Sequence, residues 1–177
     1  MPPWHASQSP LAVGLLVRQV QSMNSAFQIR EDGLSGAKIA ALLRLHLDEM
    51  HQWSPPESVH ALPIARLRAP GVTFYSAWDG PRLAACGALK QLDAQHGELK
   101  SMRAHPDFRG RGAGKAMLEH LLAEARARGY ARVSLETGRP EQFLPARRLY
   151  EANGFEECPP FGSYTADPFS ICMTKEL

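Results

Sequence analysis

The order of periodic segments along this 177-residue chain predicts an α/β (α+β) protein built on one mixed sheet. Three observations carry that reading. Two runs rich in β-branched, aromatic and small apolar residues flank Asp79-Gly80, the signature of an antiparallel hairpin. Apolar residues recur at helical spacing in separate segments elsewhere. In the second half, helix patterns stand between strands, and a helical crossover returns the chain parallel to the strand it left.

The elements follow in order. "AFQIRED" alternates enough to form a first strand. Leu34, Ile39, Leu42, Leu43, Leu47 and Met50 fall near helical spacing, which predicts a helix from about Ser35 to His51. "PPESVHAL" can open a short helix, because proline is tolerated in a first turn. "VTFYSAWDGPRLAACGALKQLD" is the hairpin, and Glu98 to Ala104 is the next strand. A helix is expected from about Gly112 to Arg128, with Met117, Leu118, Leu121, Leu122 and Ala125 on one face and Gly129 at its C-cap. "YARVSLET" is a strand, and "FLPARRLYEANG" is a short helix with Pro145 in its first turn. "FEECPPF" and "SICMTKEL" close the chain as two strands joined by the loop "GSYTADP".

Composition narrows the function. Apolar residues make up 44% and charged residues 21%, as in an ordinary globular domain. A net charge of +2 is too small for wholesale nucleic-acid or membrane binding. Three cysteines, Cys86, Cys158 and Cys172, with no CxxC pair, argue against a disulfide framework or a zinc site and for a reduced, cytoplasmic protein. The seven histidines show no metal spacing, so no metal is expected. Residues 1–25 read as an N-terminal extension, peripheral or disordered, before a domain over 26–177. No basic residue precedes "PLAVGLLV", as a secretory signal requires.

The richest passage is "HPDFRGRGAGKAMLEHLL", His105 to Leu122. A Walker A loop needs GxxxxGK[ST], but here the spacing is short and Ala116 stands where the hydroxyl belongs. A dinucleotide loop needs GxGxxG, whereas Gly110, Gly112 and Gly114 give GxGxG. What remains is a glycine-rich turn opening a helix. There the first N–H groups lack partners, the dipole favours an anion, and glycine lets that anion come close. From Arg103 to Arg132, seven basic residues face three acidic ones. An anion site, a solvated basic helix and a nucleic-acid patch all fit that pattern.

Arg109-x-x-Gly112-x-Gly114, set between strand and helix, resembles the acyl-CoA loop of the GNAT acetyltransferase superfamily. "ARRLYEANGFE", Ala146 to Glu156, resembles that family's second conserved block, and the likeness extends over most of residues 26 to 177. The text from "SPPESVHAL" to "MTKEL" is further similar to a subgroup of small bacterial acetyltransferases. The resemblance implies a mostly antiparallel sheet of about six to seven strands, with a central splayed parallel pair and about four flanking helices. It also implies acetyl-CoA as cosubstrate and acetyl transfer to an amine by direct attack. The cofactor set carried over is Met102, Arg103 and Ala104 on the strand, Arg109, Gly110, Arg111, Gly112, Ala113, Gly114 and Lys115 in the loop, and Phe143 and Ala146 beyond it. Tyr150 stands where many members place the acid that protonates the departing thiolate. Glu98 stands where some keep the general base, with Glu136 on the neighbouring strand as its rival.

The acceptor pocket is expected near "HQWSPPE". His51 and Trp53 would line it, Asp48, Glu49 or Glu57 would attract a cation, and Tyr164 would cover it. The expected partner is a small-molecule or peptide amine, with no nucleic acid and no membrane, and a homodimer is left open. An acyl-CoA sensor without turnover and a nucleic-acid-binding protein are the alternatives.

Overall fold

The computed structural model of the protein describes residues 26–177, so the expectation for residues 1–25 lies outside them. Seven strands form one sheet in the order β1-β2-β3-β4-β5-β7-β6. They are β1 (Gln28–Glu31), β2 (Val72–Asp79), β3 (Arg82–Gln91), β4 (His96–Ala104), β5 (Arg132–Gly138), β6 (Glu156–Cys158) and β7 (Ser170–Glu176). β4 and β5 pair in parallel, and every other neighbouring pair is antiparallel. Among the described residues four α-helices accompany it: α1 (Ala37–Trp53), α2 (Ile64–Leu67), α3 (Ala113–Ala127) and α4 (Leu144–Ala152).

Both faces of the sheet are covered. On one, Ile39, Leu42 and Leu43 of α1 and Leu67 of α2 pack against Phe74, Leu83, Cys86 and Ala88. On the other, the expected α3 stripe of Met117, Leu118, Leu121, Leu122 and Ala125 is buried against Leu89, Leu99, Val133 and Leu135. α3 comes unusually close to β3 at Gly87. A Cβ there would meet Met102 Sδ at 2.8 Å and Leu121 Cδ1 at 2.9 Å.

The differences from the sequence reading have local causes. α1 begins and ends two residues later than its periodicity predicted. Leu34 turns into left-handed backbone (φ 62°), which delays the start. Pro55 forces Ser54 into extended backbone (φ −137°, ψ 148°), which fixes the end. "PPESVHAL" makes one 3-10 turn, Pro56–Ser58, and the chain then runs extended into α2, which the sequence did not announce. β6 is cut to three residues because Pro159 and Pro160 cannot donate to a ladder.

Candidate active site

The parallel ladder between β4 and β5 runs from His96↔Arg132 to Leu99↔Leu135 and goes no further. Beyond it the strands part. Ser101 takes left-handed backbone (φ 51°) inside a bulge against β3, and β5 stays with β7 to Gly138. The gap is a cleft of about 700 Å³. α1 walls one side with His46, Met50 and Trp53, while the glycine loop and α4 wall the other. Trp53 meets Phe143 edge-on at 5.6 Å across one end. Arg147 holds the turn before α4 through the carbonyls of Gly138, Arg139 and Pro140, at 2.8, 2.6 and 3.2 Å.

The loop supplies main-chain donors. Gly110 (φ 70°) and Gly112 (φ 84°) adopt left-handed backbone, which glycine takes without steric cost. The first helical bond of α3 runs from Ala116 N–H to Gly112 C=O at 2.9 Å. Ala113, Gly114 and Lys115 therefore have no helical acceptor for their N–H groups. The set is narrower than the sequence reading made it. The N–H of Arg109 donates to Pro106 and that of Arg111 to Phe108, both at 3.2 Å. The side chains are engaged as well. Arg109 reaches Glu49 Oε1 at 3.1 Å, Arg111 lies 5.0 Å over the Phe108 ring, and Lys115 pairs with Glu119 at 3.6 Å.

Every cofactor-side residue expected from the sequence lines the cleft except Arg111, and Tyr150, Trp53 and Glu136 line it too. Tyr150 is 6% exposed. Burial first, and then the Glu136 charge, push its phenol above the ordinary range, so it keeps its proton. Burial likewise pushes the Glu136 carboxyl up to about 7, against the opposing Lys100 charge and a hydrogen bond from Ser170. A donor that holds its proton and a carboxyl that titrates near neutrality thus face one space.

The remaining expectations are corrected. Glu98 does not line the cleft. It is 1% exposed, pairs with Lys90 at 3.2 Å and Lys100 at 3.4 Å, and accepts from Tyr164 Oη at 2.5 Å. Tyr164 is likewise absent from the cleft wall and also accepts from Lys100 Nζ at 2.6 Å. His51 and Glu57 are exposed and line no part of the cleft. On α1 it is positions 46, 50 and 53 that share the cleft face, which turns 51 elsewhere. Asp48 is exposed too. Glu49 cannot attract a cation from solution, because Arg103 (2.5 Å) and Arg109 already bracket it. Burial alone would raise its carboxyl, but the hydrogen bonds and charges of those arginines prevail and hold it below the ordinary range.

His46 and Lys100 are among the cleft residues that escaped the sequence reading. His46 is held neutral, pushed down to about 4 by burial and then by the Arg103 charge. Its signal was a polar residue on the apolar stripe of α1. Lys100 was signalled by its place two residues after Glu98 on a central strand, which puts both charges on one face. Among the described residues four buried side-chain polar atoms lack a partner, and three of them, His46 Nδ1, Ser101 Oγ and Arg103 Nε, belong to residues lining this cleft.

The sheet thus splays at its one parallel pair, and N–H groups without helical acceptors open the next helix. The chain belongs to the acetyltransferase (GNAT) family, whose model matches residues 39–155. It is 51% identical to the uncharacterized N-acetyltransferase YsnE of Bacillus subtilis, over 84% of this chain and 99% of that one. It is 45% identical to the uncharacterized N-acetyltransferase YedL of Escherichia coli, over 85% and 99%. Its fold matches a GNAT family acetyltransferase from Elizabethkingia anophelis with acetyl-CoA bound, at a TM-score of 0.65 and 18% identity, covering 87% and 100% of the two chains. Acetyl-CoA is the cosubstrate of this family. Among the described residues no helix is long and apolar enough to cross a membrane.

Proposed function

We propose that this protein acetylates an amine by direct attack on acetyl-CoA, with Glu136 as general base and Tyr150 as general acid. The observation that carries the reading is the convergence of Glu136, Tyr150 and the loop amides on one cleft. The free N–H groups of Ala113, Gly114 and Lys115 suit a pyrophosphate at the start of α3. β4 beyond Leu99 has no β5 partner, so its main chain is available to an extended pantetheine arm.

An ammonium has no lone pair, and its ordinary pKa is about 10. Glu136 takes the proton, and a base poised near 7 suits that task at neutral pH. The nitrogen then forms a bond to the acetyl carbonyl carbon, the carbon–sulfur bond breaks, Tyr150 gives its proton to the sulfur, and the remaining surplus proton on the new amide nitrogen restores the phenol. A covalent acyl-enzyme finds no support here. None of the three cysteines lines the cleft, and burial pushes the Cys86 and Cys172 thiols up to about 12 and about 11.

The test is release of CoA thiol with a panel of amines, in the wild type and in Tyr150→Phe. The variant is expected to lose turnover by about 10²–10⁴-fold while CoA affinity stays within about twofold. Unchanged turnover in Tyr150→Phe would remove Tyr150 from the mechanism. No release with any amine would leave an acyl-CoA-binding protein instead of an enzyme.

A further inference from the structure

A second cavity of about 320 Å³ adjoins the cleft on the side away from the glycine loop. The two share His60, Ala61 and Lys100 in their walls, so they meet at these residues. Its charge is one-sided. Arg66, Lys90 and Lys100 stand around it against a single carboxylate, Glu98. Glu98 is already spent on the two lysines and on Tyr164. Lys100 has its three protons directed at the His60 carbonyl (3.1 Å), the Tyr164 hydroxyl and Glu98. Lys90 has one ion-pair partner and a side chain that is 38% exposed. The Arg66 guanidinium has no hydrogen-bond or ion-pair partner among the described residues. Positive donors are therefore left over at this end, while Leu62, Leu92 and Phe161 complete the wall with apolar surface.

The position along β4 gives this surplus a meaning. Lys90 and Glu98 are register partners at the start of the strand, while Glu136 reaches the cleft beside Lys100, two residues on. Two strand residues span about 7 Å, so one small molecule can touch both places. We propose that this cavity is the acceptor's anionic subsite, where Arg66 and Lys90 hold the carboxylate or phosphate of an amine whose nitrogen reaches the cleft at Glu136. The inference rests on the acetyl-transfer reading for the role of that nitrogen, but the subsite itself stands on the unspent cations. It makes the acceptor an amino acid in the broad sense: an amine and an acid group separated by several bonds.

The probes are linear ω-amino carboxylic acids, their neutral amides and the aminoalkyl phosphates of the same length. Each is titrated by calorimetry into the CoA-saturated protein. The acids are expected to bind about tenfold or more tighter than the amides, the worth of one charge-assisted hydrogen bond. In Arg66→Gln that advantage shrinks to what Lys90 alone supplies, and in Arg66→Glu it reverses. Position 66 is exposed, so both variants are expected to fold. Phosphates that outbind the carboxylates would assign the subsite to phosphate. Equal binding of acid and amide, or an advantage undiminished in Arg66→Gln, overturns the proposal. Acids that bind with the expected preference but release no thiol from acetyl-CoA would overturn the acetyl-transfer reading and leave the subsite standing.

Discussion

At the glycine-loop end of the cleft the proposed binding groups are main-chain N–H donors, and in the adjoining cavity at its far end they are charged side chains. The loop end needs only left-handed backbone at Gly110 and Gly112 and a helix that starts on cue at Ala113. The far end needs Lys90, Glu98, Lys100, Tyr164 and the His60 carbonyl to hold one another, although they come from four separate parts of the chain. A backbone site is set by local sequence and is insensitive to most side-chain changes. A side-chain network is set by tertiary packing, and each member depends on the others. The expectation is that substitutions at the loop end act through conformation, while substitutions at the far end act through charge left without a partner.

Glu136, where the two ends meet, gives the largest expected effect. Glu136→Gln should lower turnover by about 10²–10⁴-fold. In the wild type, kcat/KM should rise with pH through about 7 as the carboxyl loses its proton, and that limb should vanish in the variant. Stability moves in the opposite sense. The native carboxyl holds its proton to about 7, against 4.5 ordinarily, so the native state binds more protons than the unfolded one between those values. Stability therefore declines as pH rises through that window, and Glu136→Gln should flatten the decline in denaturant melts run at pH 4.5 and 7.5.

Lys100→Met tests the network. It leaves Glu98, 1% exposed, with Lys90 as its remaining cation and should cost about 3 kcal/mol in urea unfolding. A cost below about 1 kcal/mol would mean that the far end is not mutually dependent, and the contrast with the loop would fail. Gly112→Ala tests the loop. Left-handed backbone costs an alanine about 1–2 kcal/mol, a fall of several degrees in Tm for a chain of this length, and CoA binding should weaken with it. Gly114 has no such backbone, and a Cβ there meets only Leu149 at 3.6 Å. Gly114→Ala should leave Tm within about 2 °C, so any loss of CoA affinity in that variant reports the approach of the ligand alone. The smallest effect belongs to Arg109→Gln. It removes the half-exposed partner of Glu49 and leaves the buried Arg103 pair in place, so it should change stability by less than about 1 kcal/mol while flattening the salt dependence of CoA binding.

The same contrast explains what the sequence could tell. The order of strands and helices was legible because each element carries its own period. The loop was legible because three glycines at fixed spacing have a local conformational reason. The two-residue shift of α1 has a local cause at each end, left-handed backbone at Leu34 and Pro55 just past the last turn, and the apolar stripe reports neither. α2 was hidden because four residues are too few to show a period. The sequence put Glu98 ahead of Glu136 as the base, yet both are strand glutamates facing the same side, and their difference is made by Lys90, Tyr164 and Ser170, which lie elsewhere in the sequence. His46 was missed because a histidine on an apolar stripe reads as core until the strands beneath it are seen to separate.

The parallel ladder has only four rungs, His96↔Arg132 to Leu99↔Leu135. Mechanically, the sheet is two plates joined by a short hinge, with the cleft as the open jaw beyond it. Any molecule that pairs with the bare edge of β4 while touching α4 acts as a rivet across that jaw. Amide hydrogens along both lips should then exchange more slowly when it is seated, including those on β5 that it never touches.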